Sequence, residues 1–239
     1  MSTVASPLQR TSLASMAADE LIRLIEERGY RENDALPSTA ELESTLQVSR
    51  TVVREAIAEL AGQGLLRRQQ GRETVVSLPD ASQLERLLRL RFAVQGADFP
   101  ALQDFRQIIE VGAARIAAER ATDEDIAALQ DKLEKLRSAN GDEALHTADQ
   151  AFHREVARIS GNDLTLLTID GITPLLHQLR LRAWAGWTEA GQTVDPIIEA
   201  HAAILAKIRE RDPEGAAEAM RSHLHQAYEG LRHSATAQD

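Results

Sequence analysis

The apolar and polar positions divide the chain into an N-terminal part that mixes helices with short strands and a longer part that is helical throughout. Residues 1–11 show no periodicity, and we predict a flexible tail there. From Leu13, apolar residues recur every three or four positions until Gly29, which predicts one amphipathic helix. Ser38 begins a capping-box spacing that predicts a short second helix ending near Leu46.

A third helix carries the basic residues of this part. Ser49 can cap it, and its apolar stripe continues to about Gly62. Arg50, Thr51 and Arg54 lie outside that stripe, in the first turn and a half. Two short helices joined by a tight turn, with basic residues at the exposed start of the second, are typical of a helix-turn-helix that enters the major groove of DNA.

Two strand-like runs follow the third helix. They cover residues 65–69 and 74–78, on either side of a turn that contains Gly71. This arrangement predicts a β-hairpin, which would form a wing beside the helices. Residues 12–78 are therefore predicted to be a winged helix-turn-helix DNA-binding domain.

After Pro79 the pattern is that of helices alone. The predicted helices cover residues 84–92, 99–120, 122–137, 142–159 and 164–184, followed by a loop at 186–192 and two last helices opened by the Asp-Pro pairs at 195 and 212. The fold class that follows is mainly α, with a helical bundle of six or seven helices over residues 79–239 behind the winged helix-turn-helix.

Composition and charge narrow the function. The chain has no cysteine, which excludes disulfides, thiolate metal sites and cysteine nucleophiles. No run approaches the length of a membrane span and the start lacks the features of a secretory signal, so we expect a cytoplasmic protein that does not enter a membrane. The net charge is −10, but arginines outnumber acidic residues within 48–76, and local contacts decide phosphate binding.

Polar residues inside the apolar stripes of three bundle helices are the candidate chemistry. Asp149 and His153 lie four positions apart and project from one helix face, while His201 and His223 interrupt the stripes of the last two helices. A buried carboxylate and three buried imidazoles are costly unless they are paired or bound to a cation. Together they suit a divalent metal (zinc, nickel, manganese or iron) with open positions for water or a ligand. The alternative for any one histidine is a hydrogen-bonded core residue.

The other histidines separate from this set by their helical phase. His225 shares its face with charged residues, and we predict that it points to solvent. His146 has the phase of His153 but lies two turns away, so it is a weaker ligand candidate. His177 follows no clear stripe and is interpreted as structural or as lining a pocket.

Motifs in the N-terminal part resemble a known family. LPS at 36–38, VSRTVVREA at 48–56 and GLL at 64–66 followed by GR at 71–72 are similar to the winged helix-turn-helix of GntR-type bacterial transcription regulators. The resemblance implies that Arg50 and Arg54 contact operator bases or phosphates. The assisting residues that it implies are Ser38, Ser49 and Thr51, with Gly71 and Arg72 placing the wing tip at the minor groove.

Two positions depart from the pattern of that family. Ala40 stands where many members carry an arginine, which removes one operator contact. Glu73 stands where many members have a second wing glycine, and its charge adds repulsion near phosphate.

Motifs in the bundle resemble the FCD effector domain of the FadR branch of the same regulators. They are RQIIE at 106–110, DQAFH at 149–153, SGN at 160–162, EAH at 199–201 and MRSHL at 220–224. The resemblance implies that Asp149, His153, His201 and His223 bind zinc or a similar ion, which in turn coordinates the carboxylate of a small hydroxy acid or sugar acid. Arg106 would pair with that carboxylate; the alternative is a salt bridge with Glu110, one turn later.

The leading hypothesis is a ligand-responsive transcription regulator, a repressor that binds a short near-palindromic operator as a homodimer and is not an enzyme. One alternative is a metal-dependent hydrolase that activates water at the Asp/His site. It lacks a motif such as HExxH and leaves the DNA-binding module unexplained. A constitutive architectural DNA binder would leave the polar residues of the bundle core unexplained.

Overall fold

The computed structural model describes residues 12–68, 73–96, 99–189, 193 and 195–236. The predicted tail 1–11 and the wing-tip residues Gly71 and Arg72 lie outside the described residues. The chain contacts divide the molecule between Gln83 and Leu84 into two compact units. The domain bounds 12–78 and 79–239 remain a prediction, and the division into units falls a few residues after the predicted boundary.

The first unit is built from three helices and a hairpin. Its elements are α1 (Leu13–Arg28), α2 (Thr39–Leu46), α3 (Arg50–Gly62), β1 (Leu66–Arg68) and β2 (Thr74–Val76). One apolar core joins them, because Leu21, Leu42, Val53 and Leu60 are fully buried against one another. The predicted second and third helices end where the structure ends them, at residues 46 and 62.

Two serines begin the helices of the helix-turn-helix. Ser38 Oγ accepts from the Glu41 backbone N–H at 3.3 Å, and Glu41 Oε2 accepts from the Ser38 N–H at 2.8 Å, which completes the predicted capping box. Gln47 ends α2 in the left-handed region with φ 52°. Ser49 Oγ then accepts from the Val52 N–H and caps α3. Since residues 47–49 alone separate the helices, the turn is as tight as a helix-turn-helix requires.

The wing contains more backbone pairing than the sequence predicts. β1 and β2 pair antiparallel, with Leu66 opposite Val76, and both are shorter than the predicted runs. A segment before α2 also pairs with β2. The Asn33 N–H donates to Val76 O at 2.9 Å, and the Leu36 N–H donates to Thr74 O at 2.8 Å. A pairing this short leaves no alternation of apolar and polar residues in the sequence, so the sequence does not predict it.

The second unit is a helical bundle. Its helices are α4 (Ala81–Gln95, which begins just before the division), α5 (Phe99–Arg120), α6 (Asp123–Ser138), α7 (Asp142–Ile159), α8 (Asp163–Glu189), α9 (Asp195–Arg209) and α10 (Pro213–Thr236). These seven helices of the described chain agree with the predicted six or seven. The predicted start of the loop at Gly186 is wrong, because α8 continues through that glycine, which a helix tolerates at a modest cost.

The largest core cluster lies where α5, α6, α7, α9 and α10 meet. Phe152, Val156, Ile204, Met220 and Leu224 are almost completely buried there. In the part of the chain that the structure describes, no helix is long and apolar enough to cross a membrane.

Candidate functional site

The four side chains predicted as metal ligands lie together inside the bundle. Asp149 and His153 come from α7, His201 from α9 and His223 from α10. All four are buried, and each offers one ligand atom such that these atoms lie within 4.8 Å of one another. The prediction that three helices point ligand-type groups to one place is therefore met by the geometry.

The ligand atoms approach one another closely. Asp149 Oδ1 lies 3.1 Å from His201 Nε2 and 3.7 Å from His153 Nε2. His153 Nε2 lies 3.1 Å from His223 Nε2. Two atoms bound to one zinc ion at about 2.1 Å are about 3.0–3.4 Å apart, so the shortest of these separations are compatible with ligands of a single ion.

Contacts outside the cluster set the orientation of two imidazoles. His201 Nδ1 lies 2.7 Å from the carbonyl oxygen of Ile197, to which it donates. The lone pair of His201 is thereby on Nε2, which faces Asp149. His153 Nδ1 lies 2.5 Å from Glu110 Oε2, and its Nε2 faces His223.

Burial and neighbouring charges move the pKa values of this cluster in opposite directions. Burial lowers the pKa of His223 well below its usual value, and the charges of His201 and His153 lower it further. Burial also lowers the pKa of His153, but the carboxylates of Glu110 and Asp149 outweigh it and raise that pKa. Neutral His223 therefore directs a lone pair or a ring N–H at its neighbours rather than a charge.

The residues present fit a divalent metal ion. Three imidazoles and one carboxylate are the donor set that zinc and its neighbours in the first transition row accept. Among the described residues, none hydrogen-bonds to the buried Nε2 of His201. An ion at the centre of the cluster would satisfy this nitrogen and relieve the repulsion between lone pairs that converge there.

Arg106 and Glu110 form a buried ion pair on α5 beside the cluster. Arg106 is 1% exposed, and its Nε donates to Glu110 Oε1 at 2.7 Å. This is the salt bridge that the sequence offered as the alternative to an effector contact. Burial raises the pKa of Glu110, but Arg106 and His153 outweigh it and hold that pKa well below its usual range. The carboxylate is therefore ionised at neutral pH.

Glu110 is a site residue that the sequence analysis missed as such. It was considered only as the partner of Arg106, yet its second carboxylate oxygen contacts His153. The sequence signal for this role was that Glu110 lies one turn after Arg106, on the same buried face of the helix.

The remaining histidines occupy different surroundings. His225 is exposed, as its helical phase predicted. His146 is buried outside the four-residue group, 2.5 Å from the Gln150 amide nitrogen and with its ring 4.3 Å from that of His177. His177 Nε2 in turn lies 3.2 Å from Glu143 Oε2. His146 and His177 therefore belong to a separate polar cluster on α7 and α8.

The basic residues of α3 form an exposed surface in the first unit. Arg50, Thr51 and Arg54 are all exposed. Thr51 and Arg54 also line a depression of about 270 Å³, together with Arg68 of β1. No individual role was predicted for Arg68. Its neighbour Arg67 instead donates to Asn33 Oδ1 at 2.6 Å.

Two family descriptions match the chain. Residues 13–76 match bacterial regulatory proteins of the gntR family, and residues 101–226 match the FCD domain. The first match contains α1 to β2, and the second contains all four residues of the buried cluster.

Individual proteins agree with these matches. The chain is 31% identical over 237 residues to the HTH-type transcriptional repressor NanR of Cronobacter sakazakii, covering 93% of this chain and 86% of that protein. It is 32% identical over 223 residues to NanR of Salmonella typhimurium (strain LT2), covering 91% and 84%. The solved structure of Streptococcus agalactiae GntR is similar with a TM-score of 0.65 and 28% identity, covering 89% of this chain and 97% of that one.

Proposed function

Because the chain belongs to the GntR family of bacterial transcription regulators and carries an FCD domain, we propose that it is a metal-containing repressor controlled by a small organic acid. It is a transcription regulator and not an enzyme, since its family and relatives are regulators, and the hydrolase alternative falls with that. The observation that carries the proposal is the buried group of Asp149, His153, His201 and His223.

Zinc is the ion that we assign to this group, with nickel, manganese or iron as the other ions that the ligands suit. The four side chains would hold it, and two or fewer further positions would stay open. The ion would supply a Lewis-acidic position for the carboxylate of the effector. His201 and His223 come from successive helices, so that an effector bound there acts on α9 and α10 together.

Arg106 is the second group that we assign to the effector. Its charge contributes to lowering the pKa of His223, which supports a position at the same site. A guanidinium and a metal ion on one anion favour a carboxylate, and the open metal position suits an adjacent hydroxyl. Hydroxy acids and sugar acids carry both groups.

Operator DNA is the partner that we assign to the first unit, which places the regulator in the cytoplasm. Arg50, Thr51 and Arg54 would enter the major groove from the exposed start of α3. Ser38 and Ser49 assist by fixing the starts of α2 and α3 and by presenting backbone N–H groups to phosphate. The wing residues Gly71 and Arg72 keep their proposed place at the minor groove.

A second copy of the chain is the partner that we assign to α4. Leu87, Leu90 and Val94 are 66%, 64% and 76% exposed. Their spacing of three and four residues forms one apolar stripe, the pattern with which helices pair across an interface. A near-palindromic operator requires two recognition helices, and a homodimer provides them.

We expect Leu90→Asp to shift the protein from dimer to monomer in sedimentation equilibrium, because the substitution puts a charge in the middle of the apolar stripe. Arg89→Asp introduces the same side chain away from the stripe and should leave the dimer intact. A wild-type protein that is monomeric at micromolar concentration, alone and on DNA, would contradict the homodimer.

The repressor function is tested by measuring operator binding with and without a panel of hydroxy acids and sugar acids. We expect at least one acid to release the operator without being consumed, so that the concentration of the acid stays constant. Release should disappear when a chelator removes the metal, since the acid then loses its main ligand. Consumption of the acid, or release that is insensitive to the metal, would refute the proposal.

A further inference from the structure

We propose that Glu110 is a positioning residue of the metal centre, which holds the proton of His153 on Nδ1 so that Nε2 is free to bind the ion. The inference rests on the metal site proposed above. It also gives Arg106 and Gln103 a role, because they connect this carboxylate to the helix that carries His223.

The contact between Glu110 and His153 joins two helices inside the core. Glu110 is 3% exposed, and its Oε2 lies 2.5 Å from His153 Nδ1. An imidazole nitrogen that faces an ionised carboxylate at this distance carries the ring proton. The other nitrogen of the ring then has the lone pair, and it is the nitrogen that lies 3.1 Å from His223 Nε2.

The same arrangement orients histidines in many metal sites. A ligating imidazole commonly donates its second N–H to a carboxylate or a backbone carbonyl, which fixes the tautomer and makes the ligating nitrogen more basic. His201 uses the carbonyl of Ile197 for this purpose, at 2.7 Å. Glu110 Oε2 takes the corresponding place beside His153 Nδ1 as a close charge, at 2.5 Å, and not through a hydrogen bond of regular geometry.

The charge of Glu110 explains why Arg106 is buried. A buried carboxylate without a counterion is strongly unfavourable, and Arg106 Nε supplies the counterion at 2.7 Å on Oε1. The two oxygens of Glu110 thus face separate groups, the guanidinium on one side and the imidazole on the other. The arginine makes it possible to keep a charged partner beside a metal ligand in the core.

The polar connection continues beyond Arg106 to α10. Arg106 Nη1 donates to Gln103 Oε1 at 3.3 Å, and Gln103 Nε2 donates to the backbone oxygen of Leu224 at 2.5 Å. Leu224 follows His223 directly in the chain. One face of α5 therefore holds a ligand of α7 through its side chain and a ligand of α10 through the neighbouring backbone.

The competing explanation is that Arg106 and Glu110 form a purely structural ion pair. The two explanations predict different effects on the tautomer of His153. If Arg106 and Glu110 only stabilised the fold, their loss would change the unfolding free energy but not the tautomer of His153. Glu155, on α7, offers a matched control. Like Glu110 it is buried, and it is paired with an arginine, Arg158, at 2.7 Å. The side-chain contacts described for Glu155 are with Arg158 and include none of the four proposed metal ligands.

The experiment compares zinc affinity in Glu110→Gln, Glu155→Gln and His201→Ala by competition with a chromophoric chelator. We expect Glu110→Gln to bind zinc about 10- to 100-fold more weakly than the wild type, and Glu155→Gln to bind it as the wild type does. Wild-type affinity in Glu110→Gln, with binding lost in His201→Ala, would overturn this inference alone. Undiminished affinity in His201→Ala would instead overturn the metal site on which it rests.

A second measurement does not depend on the folding of a variant. The ¹⁵N shifts of the His153 ring in the metal-free wild type report which nitrogen carries the proton. We expect the Nδ1–H tautomer in the wild type and in Glu155→Gln at a pH high enough for the ring to be neutral, and a mixture with the Nε2–H tautomer in Glu110→Gln. An Nε2–H tautomer in the wild type would overturn the inference.

Discussion

Replacing His223 by alanine is expected to abolish metal binding and the response to the acid, while operator binding itself persists. His223 is one of the four proposed ligands, it is buried, and its Nε2 lies 3.1 Å from that of His153. Loss of a direct ligand weakens binding more than loss of an outer partner, for which the effect is about 10- to 100-fold. Metal content by mass spectrometry and acid-dependent operator release measure the two effects.

His225→Ala is the control for this substitution. The residue lies two positions further along α10, has the same chemistry and is exposed. It should retain both the metal and the acid response. If His225→Ala loses them while His223→Ala keeps them, the assignment of the buried face of α10 is wrong. If neither variant changes, the buried histidines are core residues and the effector site lies elsewhere.

Replacing Arg50 or Arg54 by alanine is expected to weaken operator binding by about 1–3 kcal/mol each, provided that they reach base edges. Both side chains are exposed at the start of α3. A base contact lowers the affinity for the operator more than for unrelated DNA. A phosphate contact lowers both alike and reduces the salt dependence of binding, so fluorescence anisotropy at several salt concentrations separates the two roles.

Arg137→Ala provides the control for the arginines of α3. Arg137 lies on α6 in the second unit, where it pairs with Glu134 at 2.8 Å on the bundle surface. Its replacement removes the same charge from the protein and should leave affinity, specificity and salt dependence unchanged. Operator binding that survives Arg50→Ala and Arg54→Ala in full would show that α3 does not enter the major groove.

The sequence predicts this fold well where a helix carries its own signals. The predicted helices at 99–120 and about 142–159 agree with the bounds of α5 and α7, because continuous apolar stripes end there. The buried clustering of the four candidate ligands was also predictable, since Asp149 and His153 are one turn apart and the phases of His201 and His223 point inward. These are properties of single helices that need no knowledge of how the helices pack.

Features that depend on contacts between elements were not predictable in this way. The role of Glu110 toward His153 arises where α5 packs beside α7, which helical periodicity does not report. The pairing of residues 33–36 with β2, and the depression that Arg54 and Arg68 line together, also depend on contacts between elements. Spacing along the chain reveals neighbours on one element, and the rest requires the tertiary structure.

The shallow packing of α4 affects its dynamics, because none of its residues is fully buried and Leu88 and Phe92 pack only partly against the core. Helices of its length, 15 residues, are marginal on their own in water, and most helices in proteins are stabilised by burial of one face. Its free energy of local opening should therefore be below that of α7 or α9, and in a lone protomer its amide hydrogens should exchange faster than those of these two helices. Association through Leu87, Leu90 and Val94 would slow that exchange. The stiffness of the chain that follows the winged domain would then be a property of the assembly rather than of the single chain.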